Sequence, residues 1–539
     1  MFEKKKVRLK KRAIHPITTL ILLTFVTIIL SSILSMFNIQ ATYSKINSSN
    51  QLESVVVSVV GLCNFTGIKG IIGDAAKNFA SFAPLTTLLV GLIGLSIAHA
   101  SGLIDTFIKR VTLKINNKTL TFLIILLATV SSIINEVGYV ILIPFAALVF
   151  LANGRNPLLG ITTAFCGVAF GYGVTLFAGS MEIGLVDYTQ QAAYLVDSSY
   201  HVALLSNLIA IIISTIVVSI VGTFIIENVV SKKIGRYHIY TEEQKDETIE
   251  IKIKDVEEEQ QKKLEADINE KRGLRYALIT FIIFVLLFAY LIIPNLPGSG
   301  LLLAKNEKAY INQLFGEKAY FQEGFTFLIS ILFLSTGIAY AIGARTTKSD
   351  KDLIDKACNY LKDVGQLCAI IFFASQLIAV YKKTNIGTVV MAFVAGIIKD
   401  LPFTGLPLVL TVLILIALTG LLVTTQSSKW AVFAPVVVPI FMQNNITPQF
   451  AQFVFRAADS MAKGFTPLLA YFAVYLGYLN IYNTEKDPIT IKKALHFIRP
   501  YYYIIGITWI LIVALMYIMG ISIGPGVTPS YWLGELKWV

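Results

Sequence analysis

TTQSSKWAVFAPVVVPI, from Thr424 to Ile440, sets five uncharged polar residues, a lysine and a tryptophan between long apolar runs. The surrounding segment, Leu406 to Met442, is too long for one crossing, because about 20 apolar residues span the ~30 Å of hydrocarbon in a bilayer. The polar stretch therefore reads as the tip of a hairpin whose two short arms enter and leave on one side. The loop that follows, QNNITPQ, carries no charge, so this hairpin is expected to enter from outside.

The whole chain supports a membrane setting. Its 539 residues are 55% hydrophobic and 14% charged, with a mean hydropathy of +0.70, outside the range of soluble globular domains. A net charge of +12 would suggest nucleic acid in a soluble protein. Here lysine and arginine gather beside apolar runs, as in the positive-inside pattern, and no nucleic-acid partner is expected. The four cysteines, Cys63, Cys166, Cys358 and Cys368, show no metal-ligand spacing and read as free thiols.

Run length and charge give an expected topology of nine transmembrane helices plus two re-entrant hairpins in an all-α polytopic protein. A basic cytoplasmic N-terminus (1–16) with the run MFEKKKVRLKKR precedes a first span that reads as a retained helix. The first membrane half (17–228) holds a second span near Leu85 to Leu103 and a long interrupted element at 120–152. Basic residues flank that element on both sides, which makes it a hairpin entering from the cytoplasm, with two short full spans as the alternative. A crossing from Leu158 to Gly179 leads to an external loop, Met181 to Tyr200, without lysine or arginine. A cytoplasmic linker dense in both charges (229–272) separates the second membrane half (273–522), with its hairpin at 406–442 and a broken span from Phe450 to about Leu479. An external tail (523–539) ends the chain.

The two hairpins share a register. Pro144 and Pro435, Phe150 and Phe441, Asn153 and Asn444, Pro157 and Pro448, Gly173 and Gly464, Thr175 and Thr466, and the aromatic pair Tyr139 and Trp430 all lie 291 positions apart without a gap. One copy enters from each side, so the copies are expected to be inverted repeats, as in secondary transporters that bind substrate at the repeat interface.

Interrupted helices free backbone groups that lipid cannot satisfy. SSIINEVGY (with Asn135 and Glu136), GYGVT (with Gly173), TTQSSKW and GFTP (with Gly464, Thr466 and Pro467) are thus candidate binding elements. Ser427 or Ser428 is expected to cap the returning arm. Lys429 at that helix start opposes the helix dipole and makes sense if an anion comes to it; a lysine that merely snorkels to water is the structural alternative. Charges at membrane depth are functional by default: Glu136, Glu182, Lys429, Arg456, Asp459 and Lys463. Arg456, Asp459 and Lys463 fall on one helix face, where Arg456 and Asp459 could simply neutralise each other or could bind substrate with Asp459 titrating. Trp430, directly after the tip, is a candidate stacking platform for a planar solute. There is no GxxxxGK[ST], HExxH or GxSxG pattern, so neither ATP hydrolysis nor a common hydrolase site is expected, and no metal.

SGLIDTFIKR, GYVILIPFAALVFLANGRNPLLG, FFASQLIAVYKKTNIG and SSKWAVFAPVVVPIF followed by RAADSMAKGFTPLLAYF resemble the p-aminobenzoyl-glutamate transporter (AbgT) family from about Lys5 to Ile521. The resemblance implies a homodimeric transporter of the bacterial inner membrane, each protomer with its own pathway, associated with proton-linked movement of p-aminobenzoyl-glutamate and with export of sulfonamides. It places the family's functional serine and tryptophan on Ser427 and Trp430, its arginine and aspartate on Arg456 and Asp459, and its following proline on Pro467. The family's aspartate after the first broken helix falls on Glu182, and an asparagine that some members carry falls on Gly420. A proton-coupled secondary transporter of anionic aromatic substrates is the expected function, with Asp459 and Glu182 as proton-coupling groups, no cofactor, and sodium as the other candidate ion. A sulfonamide-type antimetabolite efflux pump and a membrane-embedded aminoacyl-glutamate hydrolase are the alternatives.

Overall fold

A computed structural model describes residues 13–47, 50–111, 115–134, 136–177, 179–237, 253–305, 307, 309–316 and 319–531. The basic run before residue 13, Asn135, residues 238–252 of the linker and the tail beyond 531 lie outside these residues.

The described chain is mostly helical, with one antiparallel strand pair. Helix α1 (Pro16–Met36) is followed by strands β1 (Gln40–Ile46) and β2 (Leu52–Ser58), then α2 (Phe65–Ala80), α3 (Ala83–Ala100) and α4 (Leu103–Val111). The first hairpin consists of α5 (Asn117–Val130), a short 3-10 turn, and α6 (Val137–Ala152). After it come α7 (Pro157–Phe170), α8 (Ser180–Tyr194), α9 (Leu208–Ile225) and the short α10 (Ser231–Ile234). Helix α11 (Ile253–Ile292) carries the second part of the charged linker into a span without a break, and Arg110 and Lys109 of α4 pair with its Asp267 and Glu270. Helices α12 (Tyr310–Phe315), α13 (Tyr320–Ala344), α14 (Asp350–Tyr360), α15 (Val364–Lys383) and α16 (Ile386–Lys399) lead to the second hairpin, α17 (Gly405–Gly420) and α18 (Gln426–Gln443). The chain closes with α19 (Pro448–Ala462), α20 (Phe472–Ile481) and α21 (Ile491–Met519).

Seven helices among the described residues are long and apolar enough to cross a membrane, and α1, α11 and α13 expose large apolar side chains along their outer faces. In water such faces would be a liability; facing lipid they cost nothing. The chain is a multi-pass membrane protein. The four cysteines are unpaired.

Two expectations need correction. The crossing predicted from Leu158 to Gly179 stops at Phe170 and breaks at Gly171. The segment after it is the helix α8, not a loop. SMEIGLVDYTQQAAY is too polar to read as a span, yet it buries Leu185, Thr189, Ala192 and Ala193 against α18 and α19, and Glu182 caps its start by accepting from the Gly179 N–H at 3.2 Å. The β-hairpin, the amphipathic α2 and α16 went unread because none is a long apolar run.

The 291-residue register holds in the helices themselves. Pro157 and Pro448 each start a helix at its first turn, where a missing N–H costs no hydrogen bond. Both of these helices then break, at Gly171 to Gly179 and at Lys463 to Tyr471. The breaks pack on each other's helices reciprocally. A side chain at Gly173 would sit 2.2 Å from Ser460 Oγ and 2.6 Å from the Arg456 carbonyl, while one at Gly464 would sit 2.9 Å from Ala169 Cβ and 2.5 Å from the Phe170 ring. Ser460 and Ala169 are themselves 291 apart, so each contact repeats the other, as at an isologous interface.

Both glycines are expected to be intolerant. Gly173→Ala and Gly464→Ala should each lower stability by about 1–3 kcal/mol through overpacking, read as a fall in the melting temperature of purified protein. Gly184→Ala, inside α8 with nothing within 4 Å of the added carbon, should not lower it and should raise it slightly through helix propensity.

Candidate functional site

The break after α7 could not persist in a membrane unless its backbone found partners. The Gly173 N–H donates to Ser460 Oγ (2.8 Å) and its carbonyl accepts from Arg456 Nε (2.7 Å). The Val174 carbonyl lies 2.9 Å from Ser132 Oγ at the first hairpin tip, and that of Thr175 accepts from Thr215 Oγ1 at 3.1 Å. GYGVT is thus an anchored crossing, with its backbone already engaged. The second break is satisfied locally: Thr466, buried, accepts the Leu468 N–H at 3.2 Å, with Pro467 half-buried beside it.

Around this crossing three ion pairs are buried or half-buried. Arg456 pairs with Glu182 of α8. Asp459, one turn on, pairs with Lys429 of α18, all four side chains being buried. Lys463, a further turn along, lies 3.7 Å from Glu136 of the first tip, with its ammonium 2.9 Å from the centre of the Tyr172 ring. Tyr172 and Lys463 are 291 apart, so corresponding positions of the two segments meet here. The helix face read from the sequence is therefore real, but Arg456 and Asp459 do not neutralise each other; each is claimed by a different element.

Beside this network lies a cavity of about 930 Å³. Its walls come from both hairpin tips (Glu136; Thr424 to Ser428), both breaks (Tyr172 and Ser180; Lys463 and Leu468 to Ala470), the α2–α3 turn and the α15–α16 corner. A second cavity of about 350 Å³ shares Ser427, Ser428, Thr388 and Met391 with it and extends towards β1.

Of the expected residues, Ser427, Ser428, Glu136 and Lys463 line the large cavity. Ser427 and Ser428 are exposed in the first turn of α18; the cap position belongs to Thr425, so neither serine caps the helix. Trp430 is fully buried, donates to Thr189 Oγ1 (2.9 Å) and lies against Phe455 with ring centres 4.6 Å apart. Its face is taken by the protein, so it positions α18 against α8 instead of offering a stacking surface here. Lys429, Arg456, Asp459, Glu182, Gly173, Gly464, Thr466 and Pro467 likewise lie behind the wall.

Gln426 joins Ser427 and Ser428 at the cavity. This side chain is 7% exposed, lines the cavity, and has no hydrogen-bond partner at either amide atom among the described residues. A buried amide so placed awaits a polar partner. Its position inside the quoted polar tip was visible; its burial was not.

A model of the AbgT putative transporter family matches residues 7–531. The chain belongs to that family. A p-aminobenzoyl-glutamate transport protein of Escherichia coli (strain K12) is 26% identical over 522 residues, covering 97% of this chain and 96% of the relative. Among solved structures, the YdaH transporter of Alcanivorax borkumensis is similar at 24% identity and a TM-score of 0.47, covering 95% of this chain and all of that one. Neisseria gonorrhoeae MtrF, described with a class of antimetabolite efflux pumps, is similar at 28% identity and a TM-score of 0.46, covering 95% of this chain and 97% of that one.

In this AbgT-family transporter the Arg456–Glu182 pair should behave as a buried ion pair. Arg456→Met alone should cost about 3–5 kcal/mol, because it strands a buried carboxylate. Arg456→Met with Glu182→Met should recover much of that loss, measured by the melting temperatures of the two variants.

Proposed function

We propose that this chain is a secondary active transporter of aromatic dicarboxylates of the p-aminobenzoyl-glutamate type, proton-coupled and working by alternating access. The observation that carries the reading is the cavity walled by both hairpin tips and both helix breaks, since a site at the repeat interface is what rocking one copy against the other can expose alternately. The substrate class comes from the Escherichia coli relative's name and from the chemistry of the wall. An aromatic dicarboxylate needs hydrogen-bond donors, a cation and apolar surface. Ser427, Ser428 and Gln426 supply donors, Lys463 the cation, and Phe82, Met181 and Leu469 apolar surface.

In this reading a substrate carboxylate competes with Glu136 for Lys463 and so loosens the first tip from the second broken helix. Asp459 and Glu182 are the proton-coupling groups. In the same reading the seven long helices, two broken ones and two hairpins are taken as nine crossings plus two re-entrant elements in inverted repeats, with the N-terminus in the cytoplasm of a bacterial inner membrane. The assembly is a homodimer with one pathway per protomer.

The test is uptake of labelled p-aminobenzoyl-glutamate into proteoliposomes under opposed pH gradients. Accumulation should follow the gradient, lose its pH dependence in Asp459→Asn, and show a KM raised about 10- to 100-fold in Lys463→Gln, the range for losing a charged hydrogen bond. Fully pH-dependent uptake by Asp459→Asn would sink the coupling assignment. Movement of sulfonamides but not of p-aminobenzoyl-glutamate would favour efflux, and release of p-aminobenzoate would favour a hydrolase.

A further inference from the structure

We propose that Lys429 is a built-in counter-cation that fills the place where Asp459 would otherwise require an inorganic cation, and that Gly420 makes the room for it. A bare carboxylate at membrane depth costs several kcal/mol, so Asp459, fully buried, must be matched by a positive charge. Its neighbours on α19 are already committed. Arg456 holds Glu182 and the Gly173 carbonyl, and Lys463 lies between Glu136 and the Tyr172 ring. The ammonium that reaches Asp459 Oδ1 comes from Lys429 on another helix.

Lys429 is not there for its own helix. It lies in the first turns of α18, at the positive end of the helix dipole, where a cation is disfavoured. The space around it is shaped for an ammonium. Gly420 is the last residue of α17, and a carbon added there would stand 3.6 Å from Lys429 Nζ and 3.1 Å from Ala462 Cβ, so a longer side chain would enter the volume the ammonium occupies. Three helices, α17, α18 and α19, thus close on one charge. The repeat does not demand the pair: the positions 291 earlier are Gly138 and Val168, which carry no charge.

A tethered ammonium cannot exchange with the medium, so the Asp459 site is indifferent to sodium. Neutralising Lys429 leaves a buried carboxylate without its counter-charge, and its Oδ2 already lacks a protein hydrogen bond among the described residues. Sodium, which takes oxygen ligands, is the inorganic cation to offer that carboxylate.

The experiment is thermal melting of the purified full-length protein in sodium chloride titrated against choline chloride at constant ionic strength. The wild type should show no saturable sodium response. Lys429→Gln should melt lower than wild type and be restabilised saturably by sodium, whereas Lys429→Gln with Asp459→Asn should regain melting temperature without sodium and not respond to it. A saturable sodium response in the wild type, or a folded Lys429→Gln protein indifferent to sodium, would overturn the proposal. If Lys429→Gln alone does not fold, the wild type and the double variant still decide: recovery of folding in the double variant supports the pairing, and its absence overturns it. Melting depends only on the fold; uptake in sodium against choline, which rests on the transport reading, is a separate arm, so failure of transport does not touch the counter-cation.

Discussion

A helix interrupted inside a membrane exposes N–H and C=O groups to hydrocarbon, at a cost of several kcal/mol for each one left unmet. The break after α7 is tenable because Arg456 and Ser460 of α19 reach across and bond both polar groups of Gly173. That contact fixes how close the two copies come, which requires glycine at 173 and at 464. It also places one basic side chain deep in the protein, and the rest of the charge pattern follows from the need to balance it.

Arg456 cannot be buried alone, so Glu182 at the start of α8 faces it, and the same carboxyl group caps its own helix through the Gly179 N–H. Asp459 and Lys463 repeat the logic one and two turns on, with partners from α18 and from the first hairpin tip. Each pair ties a different element to α19. A buried ion pair is a poor source of net stability but a strict condition on geometry, since either partner without the other is costly. An arrangement of this kind holds two copies in register and leaves the Lys463–Glu136 contact at the cavity.

The copies agree in helix bounds and in their glycine contacts yet differ in charge: Phe165, Val168 and Tyr172 stand where the second copy has Arg456, Asp459 and Lys463. A two-fold scaffold needs matching shapes at its crossing, and Gly173 and Gly464 supply them. The charges at that crossing are asymmetric, with Arg456, Asp459 and Lys463 in the second copy alone.

The sequence by itself determined the membrane setting, the two long interrupted apolar elements, the register between them and the rarity of the six deep charges, because each depends on run length, spacing and composition. It also singled out the tip at Thr424 to Trp430. Tertiary structure alone decided which charges pair, that Trp430 turns inward to Thr189 and Phe455, that α8 is a helix, and that Gln426 faces the cavity with an unmet amide. These outcomes depend on contacts between segments some 30 to 290 residues apart, such as Lys429 with Asp459 and Gly173 with Ser460, whose energies no local pattern contains.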